Sequence, residues 1–135
     1  MPHWQKRTAE LKKAGKYTDV HWDGYIKSIL CYVHNTGFDG FEALTPKPQG
    51  DVTLEEIKEA LGDKFTLLDG IPAVYFLPWE SEDKLTTTAK RLLDLFVPKI
   101  ILGISDEIPA NGDIERVRLI SELVKDYNSS LTRES

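Results

Sequence analysis

Four short β-rich runs, Tyr17–Trp22, Phe38–Leu44, Phe65–Leu68 and Lys99–Ile104, alternate along this chain with segments of helical periodicity. Their starts fall roughly 20 to 35 residues apart, the spacing of βαβ units. Pro2–Ala14 reads as a first helix, with Trp4 and Leu11 on one face and Gly15 as its stop. Tyr25–Asn35 carries Ile26, Ile29, Leu30 and Val33 at i, i+3, i+4 and i+7, and Gly37 ends it. Thr53-Leu-Glu-Glu56 is a capping-box pattern that opens a helix to Leu61, closed by Gly62. Ser81 caps a helix with Leu85, Ala89, Leu92, Leu93 and Phe96 on its buried face. Asp113 caps a last one, with Ile114, Val117, Ile120 and Val124 at helical spacing. Ala73–Trp79 reads as a loop or short extension.

The order is therefore α-(βα)4. Right-handed crossovers between such strands give a parallel α/β sheet covered by helices. Two architectures fit, an open doubly wound sheet and half of a (βα)8 barrel. A complete barrel takes about 250 residues, and this chain has 135. Residues 1–127 read as a single α/β domain, and 128–135 as a polar, frayed tail.

The chain carries 41% hydrophobic and 29% charged residues with a net charge of -5, enough apolar content for one real core. Both charge signs are mixed throughout and no basic stripe exists, which argues against nucleic acid as a partner. The apolar runs are too short to span a membrane, and MPHWQKR lacks the apolar centre of a signal peptide. The single cysteine, Cys31, excludes an internal disulfide and fits a reducing cytoplasm; its place beside the apolar stripe reads as core packing. No GxGxxG follows a strand, and Gly103-Ile104-Ser105 continues into Asp106 and Glu107 rather than completing GxSxG.

The carboxyl ends of parallel strands are where α/β sheets build their sites. There the first run places His21 and Asp23, two apart and so on one face of a strand, while Glu42 ends the neighbouring run. A histidine with two carboxylates suits Zn²⁺ with an open position, so His21, Asp23 and Glu42 are the candidate metal ligands. Asp69, Asp106 and Glu107 are placed to line the same mouth. Their bland alternatives are a DG turn for Asp69 and a helix-dipole role for Asp106 and Glu107. Lys47, in the Pro/Gly-rich loop Thr45–Asp51, could meet an anionic ligand, and Trp22 could stack on a flat one.

At HWDGYIKSIL, FDGFEALTPKPQGDVTLEEI and LGISDEIPANGDIERVRLI the sequence resembles the uroporphyrinogen decarboxylase superfamily, in order from Pro2 to Tyr127. That superfamily holds tetrapyrrole decarboxylases and corrinoid- or thiol-dependent methyltransferases. The resemblance implies the C-terminal half of a (βα)8 TIM barrel, beginning in the helix before the fifth strand. It further implies methyl transfer, assisted by zinc, between a corrinoid or methylated small molecule and an acceptor. The alternatives are a tetrapyrrole decarboxylase-like half without metal and a non-catalytic binding or assembly module. The zinc-binding methyltransferases carry His-x-Cys where this chain has His21-Trp22-Asp23, and a further Cys near the last strand where it has Asp106 and Glu107. A half-barrel leaves two sheet edges and its interior face uncovered. The expected partners are therefore a second copy, as a homodimer, or a complementary N-terminal half, together with a small-molecule or tetrapyrrole ligand.

Overall fold

A computed structural model describes residues 2–133. Helix α1 (Pro2–Lys13) precedes strand β1 (Asp19–His21), which is followed by a 3-10 helix (Leu30–Asn35) and β2 (Gly40–Glu42). Then come α2 (Leu54–Leu61), β3 (Thr66–Pro72), a second 3-10 turn (Ala73–Phe76), α3 (Glu82–Phe96), β4 (Ile100–Ser105) and α4 (Ile114–Arg133). The four strands are parallel in the order β1-β2-β3-β4. No reversal of order occurs, so the doubly wound alternative is set aside. Each right-handed crossover steps the same way, which places the connecting helices on one face.

The register fixes the two faces of the sheet. Val20, Phe41, Leu67 and Ile100 are aligned on the helix-covered side, where Phe41, Leu67 and Ile71 pack with Ile57, Leu85, Leu92 and Phe96. His21, Glu42, Leu68 and Ile101 are aligned on the other side, which no helix among the described residues covers; Ile101 is 63% exposed there. The sequence therefore builds a four-stranded parallel α/β sheet with one face packed and the other open to solvent.

Local chemistry explains the elements. Thr53 and Glu56 close the capping box in both directions, Glu56 N–H to Thr53 Oγ1 at 3.1 Å and Thr53 N–H to Glu56 Oε2 at 2.8 Å. Ser81 accepts from the Lys84 N–H, and the face predicted for α3, from Leu85 to Phe96, is the one buried. On α1 only Thr8 is buried; its hydroxyl sits where a side chain at Gly37 would have to go, and Gly37 has φ +88°.

Several expectations are corrected. β1 is a three-residue edge strand with exposed ends, shorter than the run Tyr17–Trp22. Tyr25–Asn35 is not an α-helix: Ile26 and Val33 are buried as their spacing predicts, but the chain turns and then winds as a 3-10 helix. Asp51 Oδ1 accepts the N–H groups of Ile26 (2.9 Å) and Lys27 (3.1 Å), holding the turn from a distant loop. Cys31 is exposed rather than core. β3 runs through Asp69-Gly70 instead of ending at a DG turn, and Ala73–Phe76 forms the second 3-10 turn. The polar segment from Asn128 continues α4 to Arg133, supported at its start by the Lys125–Glu122 ion pair; residues 134–135 lie outside the described residues. Among the described residues no helix is long and apolar enough to cross a membrane.

Candidate functional site

His21 ends β1 and Glu42 ends β2 at the paired register position. Their side chains meet, Nδ1 to Oε2 at 3.2 Å. An ionised glutamate only accepts, so this bond puts the proton on Nδ1 and leaves the lone pair of a neutral imidazole on Nε2. Nε2 faces Asp106 Oδ1 at 4.0 Å, from the turn that follows β4. All three side chains are about half exposed, 46%, 39% and 45% for His21, Glu42 and Asp106. Their attraction is consequently screened, and the pairs orient more than they stabilise.

Asp69 joins them by a backbone inversion. In a regular pleat it would share the covered face with Leu67. Instead Asp69 has φ +72° and Gly70 φ +104°. A Cβ at Gly70 would run into Leu92 and Leu67 on the helix side, whereas a Cβ at Gly103, on the open side with Ile101, would overlap Asp69 Oδ1. The Asp69 carboxyl therefore lies on the open face. Burial raises its pKa above the usual aspartate value, the Glu42 charge pushes the same way, and His21 opposes them.

The three non-glycine residues with positive φ among those described are Ala43 and Asp106, just after the ends of β2 and β4, and Asp69, midway along β3 and one residue past the level of Glu42. Each costs about 1–3 kcal/mol relative to ordinary backbone. Strain is thus gathered at the mouth, where it aims two of the four polar side chains.

Other predicted residues lie elsewhere. Asp23 is exposed beyond the end of β1 and has no side-chain hydrogen bond or ion pair among the described residues; Glu107 is the same. Trp22 packs at 5.1 Å on Phe41 and 6.4 Å on Trp4, within an aromatic cluster that also holds Phe38 and Phe65. Lys47 is exposed, and its charge acts on Glu56 of α2. The loop bearing it is closed on itself by Lys47 N–H to Val52 O (2.9 Å) and Gly50 N–H to Pro46 O (3.1 Å).

The zinc expectation needs three converging donors. Among the described residues no three of His, Cys, Asp and Glu are arranged to hold a metal. Glu42 occupies Nδ1 of His21 as an orienting partner, and Asp23 stands apart. The set His21, Asp23 and Glu42 does not fit a zinc centre in this geometry. What the arrangement can do is hold and move a proton at Nε2, with carboxylates on either side.

Sequence reasoning did not single out Gly103 or Arg116. Glycine inside an apolar strand signals a close approach, and Gly103 in LGIS is such a signal. Arg116 is 8% exposed and donates to the carbonyls of Tyr75 (3.0 Å), Pro78 (3.4 Å) and Glu80 (2.6 Å), tying α4 to the loop after β3. Nothing in its spacing foretells that.

Fold and site together define an open parallel α/β domain with an imidazole–carboxylate mouth. Comparison with known proteins returns no matching family model and no matching curated sequence.

Proposed function

We propose that this chain is the C-terminal half of a uroporphyrinogen decarboxylase-like domain, on the methyltransferase side of that superfamily, and that His21 is its proton acceptor. The single observation supporting this reading is the His21–Glu42 bond, which presents Nε2 to the open face. In methyl transfer the acceptor, a thiol or hydroxyl, gives its proton to Nε2. Its freed electron pair attacks the methyl carbon, and the bond from methyl to donor breaks with its electrons remaining on the donor. The donor is a methylated corrinoid or a methylated small molecule.

The decarboxylase alternative is less well supported by the electrostatics. Among the described residues Glu42, Asp69 and Asp106 have no Lys or Arg as ion-pair partner, and a mouth of carboxylates repels a polycarboxylate tetrapyrrole. The reading also requires the open face and the free edges of β1 and β4 to be covered, by a second copy or by a separate N-terminal half. Sedimentation over a range of concentrations checks the first.

The test is transfer from a methylated corrinoid to a small thiol, followed by the donor's absorption. The wild-type protein is expected to accelerate transfer, and folded His21→Ala to lose about 10²-fold or more of that gain. Equal rates for buffer and wild type, with saturable binding of a polycarboxylate tetrapyrrole, would overturn the reading in favour of the decarboxylase. A zinc titration by calorimetry runs alongside. One-site binding lost in His21→Ala would restore metal assistance.

A further inference from the structure

We propose that Gly103 is a positioning residue for Asp69: the bare α-carbon on β4 is the space into which the left-handed backbone at Asp69 turns its carboxyl, bringing it into the proton-transfer group of His21 and Glu42. This rests on reading the mouth as a proton-transfer site, and it deepens that reading by naming the residue that places a further carboxyl there.

Three independent features converge on it. Asp69 has φ +72° inside a strand, where an extended backbone would have sent its side chain into the covered core beside Leu67. Aspartate is among the few residues that tolerate this conformation. Gly103 approaches Asp69 closely, with Asp69 Cγ at 3.4 Å and Cα at 3.5 Å from where a Cβ would be, and Oδ1 inside that position. Any side chain at 103 would evict the carboxylate. Finally Gly70, turned the opposite way, gives its N–H to Ser105 Oγ at 3.1 Å, so the inverted dipeptide is anchored to the end of β4.

The groups facing Asp69 are known from each neighbouring strand. β2 offers Glu42 and β1 offers His21, the two charges that act on it. β4 offers Gly103 and the uncharged Ser105, with Asp106 beyond it reaching His21 from the far side. With no hydrogen bond to its carboxylate among the described residues, Asp69 is held above the usual aspartate value by burial and then by the Glu42 charge, with His21 opposing them.

The experiment is a carbon-detected NMR titration of the Asp69 carboxyl and the His21 ring in the whole protein between about pH 3 and 8. In the wild type Asp69 is expected to titrate above the ordinary aspartate value, and the His21 ring signals to inflect at the same midpoint. Asp69→Asn should erase that inflection. Folded Gly103→Ala should return Asp69 toward the ordinary aspartate value and uncouple the two signals. An ordinary wild-type midpoint, no shared inflection, or a folded Gly103→Ala with the wild-type titration would each overturn the proposal. The wild-type and Asp69→Asn curves decide it even where Gly103→Ala does not fold. Because no substrate enters, failure of methyl transfer leaves this test standing, and the converse holds too.

Discussion

His21 on the first strand faces Asp106, in the turn after the last, with Nε2 and Oδ1 4.0 Å apart. Two strands lie between them. On a flat sheet the two strands lie three spacings, roughly 14 Å, apart, so both side chains reach inward across the open face at the carboxyl end to meet. That convergence is what makes a mouth at the carboxyl end of the open face. Asp106 reaches inward because its backbone is left-handed, φ +67°, immediately after the buried Ser105. Glu42 then selects the imidazole face, and the strain at Asp69 adds a second carboxyl. Packing of the covered face, from Phe41 to Leu92, is what holds these conformations in place.

Glu42→Gln is expected to change the tautomer of His21 before it changes anything else. The ionised carboxylate accepts from Nδ1–H, whereas a glutamine amide can also donate, so the preference for protonated Nδ1 should fall. Nitrogen NMR of the His21 ring reads this directly. Stability to urea should move by less than about 1 kcal/mol, since the pair is half exposed. A tautomer ratio equal to that of wild type would mean that Glu42 does not orient the ring.

Asp69 predicts a pH dependence of the less common sign. Its folded pKa lies above the unfolded one, raised by burial and then by Glu42. Between those two values the folded state binds more protons, so its contribution to stability is full below the unfolded pKa and is lost as pH rises through the folded one. Asp69→Asn, which keeps the side-chain shape and tolerates positive φ, should therefore be more stable than wild type at pH 7. The gain is expected to stay within about 1 kcal/mol at this partly exposed position. It should vanish below about pH 4. Urea melts of both proteins across that range check the sign; a constant difference would remove the linkage.

How much of this was legible in the sequence depends on how local the cause is. The ends of α2 and α3 were readable because Thr53, Glu56 and Ser81 act within four residues, and the α3 stripe because burial follows periodicity. Segment 25–35 was misread as α-helix because its geometry is imposed by Asp51, more than twenty residues away. The meeting of His21 and Glu42 followed from strand ends converging, whereas Asp23 was misplaced because the strand stops at His21 and the two-residue alternation no longer applies. Asp69-Gly70 has the composition of a turn and does take left-handed backbone, but the ladder with β4 keeps both residues in the sheet.

The capping box of α2 is expected to matter about as much as a single exposed cap does elsewhere. Thr53→Ala removes the acceptor for Glu56 N–H and should cost about 1 kcal/mol in urea denaturation. Glu56→Gln keeps an acceptor for Thr53 N–H but removes the charge that meets Lys27 at 2.7 Å. That exposed pair should contribute less than the cap does, fading in high salt. A larger loss for Glu56→Gln than for Thr53→Ala would reverse this ordering.

Arg116 predicts the largest loss outside the apolar core. Its guanidinium is buried, has no carboxylate partner among the described residues, and is satisfied by three backbone carbonyls of the loop that leaves β3, while Asp113 N–H bonds Phe76 O at 2.8 Å beside it. Arg116→Met keeps much of the stem but strands those carbonyls, at a cost of about 2–3 kcal/mol. Lysine cannot reproduce the planar fork and should recover less than half of that. Because this loop continues from β3, loosening it should also broaden the Asp69 and Gly70 signals in NMR spectra, while those of α2 stay sharp. A loss under about 0.5 kcal/mol for Arg116→Met would show the clamp to be dispensable, and would move the anchoring of the mouth back onto the Gly70–Ser105 bond.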